Sequence, residues 1–168
     1  MLTTGGAVER TGERETPVDP RLVFHRIPGA TREEVLGELS ARLAAAGAVP
    51  DARYLLARLV DRERLGCTGL GDGIAIPHTK LRDLRGVAVG LATTAVPVDF
   101  GAADGRPIDL VVLVVSPTDA PAAHLQALAR VSRLLRTPGF AAVLRSARST
   151  EELIETLRST EAVPVAAR

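Results

Sequence analysis

The chain holds three histidines, and one of them, His78, closes the run Gly71-Asp72-Gly73-Ile74-Ala75-Ile76-Pro77-His78. A neutral imidazole keeps a free lone pair near pH 7, because its unperturbed pKa is about 6.5. Such a ring can attack phosphorus without a separate strong base. Pro77 restricts the backbone ahead of the ring, and Gly69, Gly71 and Gly73 allow main-chain N–H groups to turn toward a phosphoryl oxygen. His124 falls near the start of a predicted helix, where partial positive charge also favours an anion. A basic residue nearby would offset the charge of the transferred group. Phosphoryl transfer through a histidine nucleophile is the chemistry these residues suit.

Two other chemistries fit less well. The spacing Gly69-x-Gly71-x-Gly73 is a partial match to a dinucleotide fingerprint, but a helix precedes it and Pro77 follows. No Gly-Lys-Ser/Thr occurs, so a Walker A loop is absent. His78 and His124 could join Asp72 or Asp83 around a metal, yet no HExxH or CxxC spacing supports that, and no metal or cofactor is expected. The single cysteine, Cys67, can form neither an internal disulfide nor a multi-cysteine zinc site, which suits a cytoplasmic protein.

The elements that would position the histidines follow from periodicity. Residues Arg21 to Ile27 predict a short strand ended by Pro28-Gly29. Thr31-Arg32-Glu33-Glu34 is a capping box opening a helix with Val35, Leu36, Leu39 and Leu43 on its apolar face. Tyr54, Leu55, Leu59 and Leu65 mark a second helix that stops at Gly66. Ile74 to Ile76 predicts a very short strand, and Val87 to Thr94 a longer one. Ile108 to Ser116 is apolar on both faces, as a central strand covered on both sides would be. Val98 to Pro107 predicts the hairpin-like connection between the last two. Asp119 is expected to cap a helix with Pro121 in its first turn and Leu125, Leu128, Val131, Leu134 and Leu135 along it. Shorter helices follow from Phe140 to Leu144 and, behind the capping box Ser149-Thr150-Glu151-Glu152, through Leu157. The order implies one α/β domain with a mixed sheet flanked by helices.

Composition excludes several roles. The 168 residues carry 21 basic and 20 acidic side chains, a net charge of +1, which is no footprint for nucleic acid or an anionic membrane. Aromatics make up 2%, leaving no stacking platforms for single strands. The longest aliphatic run, Leu110 to Val115, is too short to span a bilayer, so no membrane insertion is expected. Residues 1–19 mix Gly, Thr, Glu, Arg and Pro without periodicity and are expected to form a flexible tail. The domain is expected over 20–160, with a second tail at 161–168.

The stretch from Arg62 through Cys67-Thr68-Gly69 to Pro77-His78 resembles the active-site signature of enzyme IIA domains of the fructose–mannitol type. These belong to the bacterial phosphoenolpyruvate-dependent sugar phosphotransferase system. Pro107 to Pro117 is similar to the family's apolar strand ending in proline, and His124-Leu125 to its second histidine. The resemblance runs from about Pro20 to Leu157. It implies that His78 accepts and donates the phosphoryl group, that His124 stabilises that group, and that Arg62 compensates its charge or engages the carrier. It further implies that Thr68 places a hydroxyl close to the active histidine, with Gly69, Gly71 and Gly73 on the substrate side. Cys67 departs from relatives that often carry serine there.

The implied donor is an HPr-type phosphocarrier protein. The receiver would be a IIB subunit in sugar uptake or a regulatory target protein in the nitrogen branch. With no IIB-like cysteine loop and no membrane segment in the chain, the regulatory reading is favoured. The alternatives are a soluble IIA subunit of fructose- or mannitol-type uptake and, more remotely, a binding module that is not phosphorylated.

Overall fold

Ten consecutive residues, Ile108–Pro117, form the central strand β6, and nearly all of them are buried. The computed structural model describes residues 16–161, so the expectations for 1–15 and 162–168 lie outside the described residues. The sheet is assembled around β6. Strand β5 (Ala88–Val98) pairs with it antiparallel, and β1 (Val23–Ile27) pairs parallel with β5 at the edge. On the other side of β6 lie β3 (Ile74–Ala75) and β4 (His78–Leu81), both parallel to it, and β2 (Gly69–Gly71) forms a small antiparallel ribbon with β3. The mixed sheet and flanking helices match the expected α/β class.

Alternation along β6 divides the core between two layers. Val111, Leu113 and Val115 pack with the cluster that holds Leu36, Leu39 and Leu43 of α1 (Arg32–Ala45) and Leu55 and Leu59 of α2 (Ala52–Arg64). Leu110, Val112 and Val114 pack on the opposite side with Val131 and Leu135 of α3 (Pro121–Leu135), Leu144 of α4 (Phe140–Ser146) and Leu153 and Leu157 of α5 (Thr150–Glu161). A strand covered on both faces needs no polar alternation, which is why β6 reads as a continuous apolar run.

Both capping boxes form. Thr31 Oγ1 accepts from the Glu34 N–H at 3.2 Å while Glu34 Oε2 accepts from the Ala30 N–H at 2.7 Å. Ser149 Oγ and Glu152 repeat the arrangement ahead of α5, which runs one turn past the expected Leu157.

Other expectations are corrected. Leu65 lies just past the end of α2 and is 85% exposed, and Tyr54 is exposed too, so neither belongs to the core stripe. Ala120, not Asp119, is the cap of α3, with no side-chain hydrogen bond there. Pro121 has no N–H, so one of the donors a cap serves is already gone. Strand β5 extends beyond Thr94 to Val98 through a register shift that accommodates Pro97, a residue that cannot donate to a ladder. Val18 is 2% exposed, so packing begins before Pro20.

Candidate active site

Strands β3 and β4 run along the same edge of β6, and Ile76-Pro77 is the break between them. Pro77 cannot donate, but its carbonyl accepts from the Val114 N–H at 3.0 Å and keeps the edge in register. His78 is thereby set beside Val114, and Lys80 beside Ser116, near the C-terminal end of β6. Along β4, Thr79 and Leu81 are buried while His78 and Lys80 are half-buried, the alternation of a strand with one open face. Helix α3 brings His124 over that face from its first turn. The two imidazole rings lie 5.7 Å apart between centroids, tilted by 52°.

Hydrogen bonds fix the chemical state of His78. Its Nδ1 lies 2.8 Å from the Ile76 carbonyl oxygen, which can only accept, so Nδ1 carries the proton of the neutral ring. The lone pair is therefore on Nε2, where it accepts from the Arg62 Nε–H at 3.2 Å. Arg62 is held in place by a second bond, from Nη1 to the Gly66 carbonyl at 3.2 Å. His124 is buried, and its Nδ1 sits 2.8 Å from Ser116 Oγ, itself fully buried on β6.

Both histidines titrate below the ordinary imidazole range. Burial pushes His78 down against the Ile76 carbonyl, which acts the other way; the Arg62 charge pushes it further down and Glu63 partly restores it. Burial also lowers His124, with the charges on His78 and Lys80 adding to the effect. At neutral pH both rings are neutral, so the Nε2 lone pair of His78 is available. The rate of phosphoryl acceptance should accordingly be flat from pH 8 to about 6.5 and fall below that, with its midpoint under the ordinary histidine value. A folded-state pKa below the unfolded one means that the unfolded chain binds more protons on acidification. Stability that is complete above about 6.5 should thus decline as the pH drops below it. A pH–rate profile and urea melts at several pH values check both expectations.

Thr68 does not reach His78 directly; its hydroxyl donates to Glu63 Oε1, and its N–H approaches Glu63 Oε2 at 3.4 Å. Glu63 is 4% exposed. The Thr68 carbonyl in turn accepts from the Ile76 N–H at 2.9 Å, and the Ile76 carbonyl holds His78 Nδ1. Glu63, Thr68 and Ile76 thus form a relay of contacts that ends in the tautomer of His78. Cys67 Sγ accepts from the Gly69 N–H at 3.2 Å, a bond that a serine hydroxyl could equally make.

The structure does not bring Gly71 and Gly73 to the histidines. They frame the β2–β3 hairpin turn at the far end of β3, where the Gly73 carbonyl accepts from Asp109 and Leu110 at the start of β6. Gly69 pairs with Ala75 inside that ribbon. Gly73 has φ +76, and an added Cβ would lie 2.9 Å from the Arg145 guanidinium and 3.0 Å from Asp109 Oδ1. Gly73→Ala should therefore cost about 2 kcal/mol of stability through left-handed strain alone, which a denaturant titration would measure.

Three residues of the site escaped the sequence reading: Glu63, Lys80 and Ser116. Glu63 could have been found, because it continues the spacing Leu55, Leu59, Glu63 and so falls on the buried stripe of α2. Lys80, two residues after His78, shares its face on any strand. Ser116 carries no such signal, being one polar residue at the end of an apolar run. Among the described residues no group of three His, Cys, Asp or Glu side chains stands close enough to hold a metal. Nor is any described helix long and apolar enough to cross a membrane.

An edge-strand histidine with its lone pair on Nε2, an arginine at that lone pair and a second histidine above it form an arrangement chemically suited to phosphoryl transfer. Known proteins agree. The family described as "Phosphoenolpyruvate-dependent sugar phosphotransferase system, EIIA 2" matches residues 16–160, and the chain belongs to it. A nitrogen regulatory protein of Bradyrhizobium diazoefficiens is 38% identical over 140 residues, covering 83% of this chain and 91% of that protein. A 2-O-alpha-mannosyl-D-glycerate-specific EIIABC component of Escherichia coli is 35% identical over 129 residues, 76% of this chain and 20% of that protein. The crystal structure of the nitrogen regulatory protein IIA-Ntr from Neisseria meningitidis superimposes with a TM-score of 0.76 at 25% identity, covering 83% of this chain and 95% of that one. This chain is an EIIA-type phosphocarrier, a phosphotransferase component that works through a phosphohistidine.

Proposed function

We propose that His78 is the phosphorylated residue and that the protein takes its phosphoryl group from the phosphohistidine of an HPr-type carrier. The observation that carries this is the pinned tautomer: Nδ1–H bonded to the Ile76 carbonyl leaves Nε2 as the only nucleophilic nitrogen of the ring. In the transfer, the His78 Nε2 lone pair forms the new N–P bond while the carrier's N–P bond breaks. The electron pair of the broken bond stays on the carrier's imidazole. No proton has to leave His78, because its proton already sits on Nδ1.

Arg62 moves from the lone pair onto the phosphoryl oxygens, offsetting their charge. In the tautomer where Ser116 Oγ–H donates to its Nδ1, His124 presents Nε2–H as a further donor, and the open end of α3 adds partial positive charge. Lys80 brings a second cation to the same face. Catalysis here is positioning and charge compensation, with little covalent work beyond the in-line step.

The favoured role is regulatory, in the cytoplasm, with the phosphorylation state read by a target protein. Its support is the likeness to nitrogen regulatory proteins, 38% identical in Bradyrhizobium diazoefficiens and with a TM-score of 0.76 in the Neisseria meningitidis structure, against 35% identity to the EIIABC component. Relay to a IIB subunit in sugar uptake is the second reading, favoured by that same EIIABC likeness. Incubation with phosphoenolpyruvate, enzyme I and an HPr-type carrier should add one acid-labile phosphoryl group by intact mass. The phosphoprotein should then be stable in the presence of fructose- and mannitol-type IIB domains. Rapid discharge to one of them would establish the transport role instead, and no gain of phosphate from cognate proteins would remove the carrier reading.

A further inference from the structure

A basic cleft of about 440 Å³ opens at the other end of the sheet, between the ends of β1 and β5 and the α4–α5 connection. Thr93, which lines it, pairs with Leu110 on β6, whereas Lys80 of the histidine site pairs with Ser116. At about 3.3 Å per residue, the six intervening steps of β6 put the two places about 20 Å apart.

Arg26, Arg145 and Arg148 line the cleft against one carboxylate, Asp109. Arg145 is engaged with Asp109 and with the Asp72 carbonyl, and Arg26 Nη2 donates to the Ala95 carbonyl at 3.0 Å. The Arg148 guanidinium has no hydrogen bond or ion pair among the described residues. One feature marks the cleft as unfinished without a ligand. Thr94, 6% exposed, lines it with the only buried side-chain polar atom that lacks a partner among the described residues, Oγ1. Arg26, at φ 52, sits where β1 shifts register against β5, and its N–H is held by Thr93 Oγ1 at 2.8 Å.

We propose that this cleft binds a phosphate monoester of a small organic molecule. Guanidinium groups suit phosphate because their planar forks donate paired hydrogen bonds to its oxygens, and an excess of arginine over carboxylate selects an anion. The cleft is larger than a bare phosphate fills, and Ala95, Pro97 and Ala147 give it apolar wall for a carbon skeleton. The inference is independent of the role given to His78, because no residue is shared between the two sites.

The test is a titration of the full chain with sn-glycerol 3-phosphate, followed by amide chemical shifts. Saturable shifts are expected at Arg26, Thr94, Ala95, Ala147 and Arg148. Arg148→Gln and Arg26→Gln should each raise Kd at least tenfold, whereas His78→Ala should change it less than twofold. Both arginines are exposed, and the same spectra report whether each variant is folded. Shifts confined to Arg62, His78 and Lys80, no saturable shifts at all, or cleft binding that both arginine variants leave intact would each overturn the proposal.

Discussion

Replacing His78 by alanine is expected to leave a folded protein that gains no phosphoryl group from phosphoenolpyruvate, enzyme I and an HPr-type carrier, however long the incubation. The substitution removes the only imidazole whose lone pair is aimed at Arg62 and whose proton is parked on a carbonyl. It deletes the two hydrogen bonds of a half-buried strand residue, which together cost about 2 kcal/mol, less than unfolding requires. His124→Ala gives the contrast. It keeps the acceptor and loses a donor to the transferred group, so transfer should slow about 10²- to 10³-fold and still reach one phosphoryl per chain. Acid-labile phosphate on the His78 variant, by intact mass, would end the assignment.

The second large effect is expected at Glu63, which touches no substrate. Its carboxyl is buried and accepts from both the hydroxyl and the N–H of Thr68. Glu63→Ala leaves those two donors inside the protein with no acceptor and opens a void beside them. The sum should destabilise the fold by about 3 kcal/mol, read as a lowered denaturation midpoint. Transfer should suffer as well, because Thr68 anchors Ile76, and Ile76 sets the His78 tautomer. A merely structural role would leave the titration of His78 untouched. The negative charge of Glu63 holds the His78 pKa up, so its removal should move the His78 midpoint further below the ordinary value in an NMR titration. An unchanged midpoint in the folded variant would reduce Glu63 to a packing residue.

The parts of this architecture that were legible are those whose signal is local. The double-faced apolar run of β6, the capping boxes of α1 and α5 and the proline–glycine breaks each announce one element through its own residues. Strand β4 was missed because His78-Thr79-Lys80-Leu81 is too short for its alternation to stand out from a loop. Strand β2 was missed because glycine is a poor strand former, and only its pairing with β3 makes Gly69–Gly71 extended.

In the site, His78 and His124 stood out by type and Arg62 through the family resemblance, and the fold brings all three together. The glycines were misplaced for a physical reason: freedom at positive φ serves a hairpin turn as readily as a phosphate cradle, and here it serves the turn. Glu63 is the instructive omission, since a carboxylate on an apolar stripe is expensive to bury and therefore needs a partner close by.

The central claim is that a single nitrogen, Nε2 of His78, carries the phosphoryl group. The most direct test is to phosphorylate ¹⁵N-histidine-labelled protein through the carrier and read the ring nitrogens by long-range ¹H–¹⁵N correlation. The structure predicts phosphorus on Nε2 of His78, with its proton still on Nδ1 and His124 unmodified. Phosphorus on Nδ1 of His78, or on either nitrogen of His124, would contradict the account.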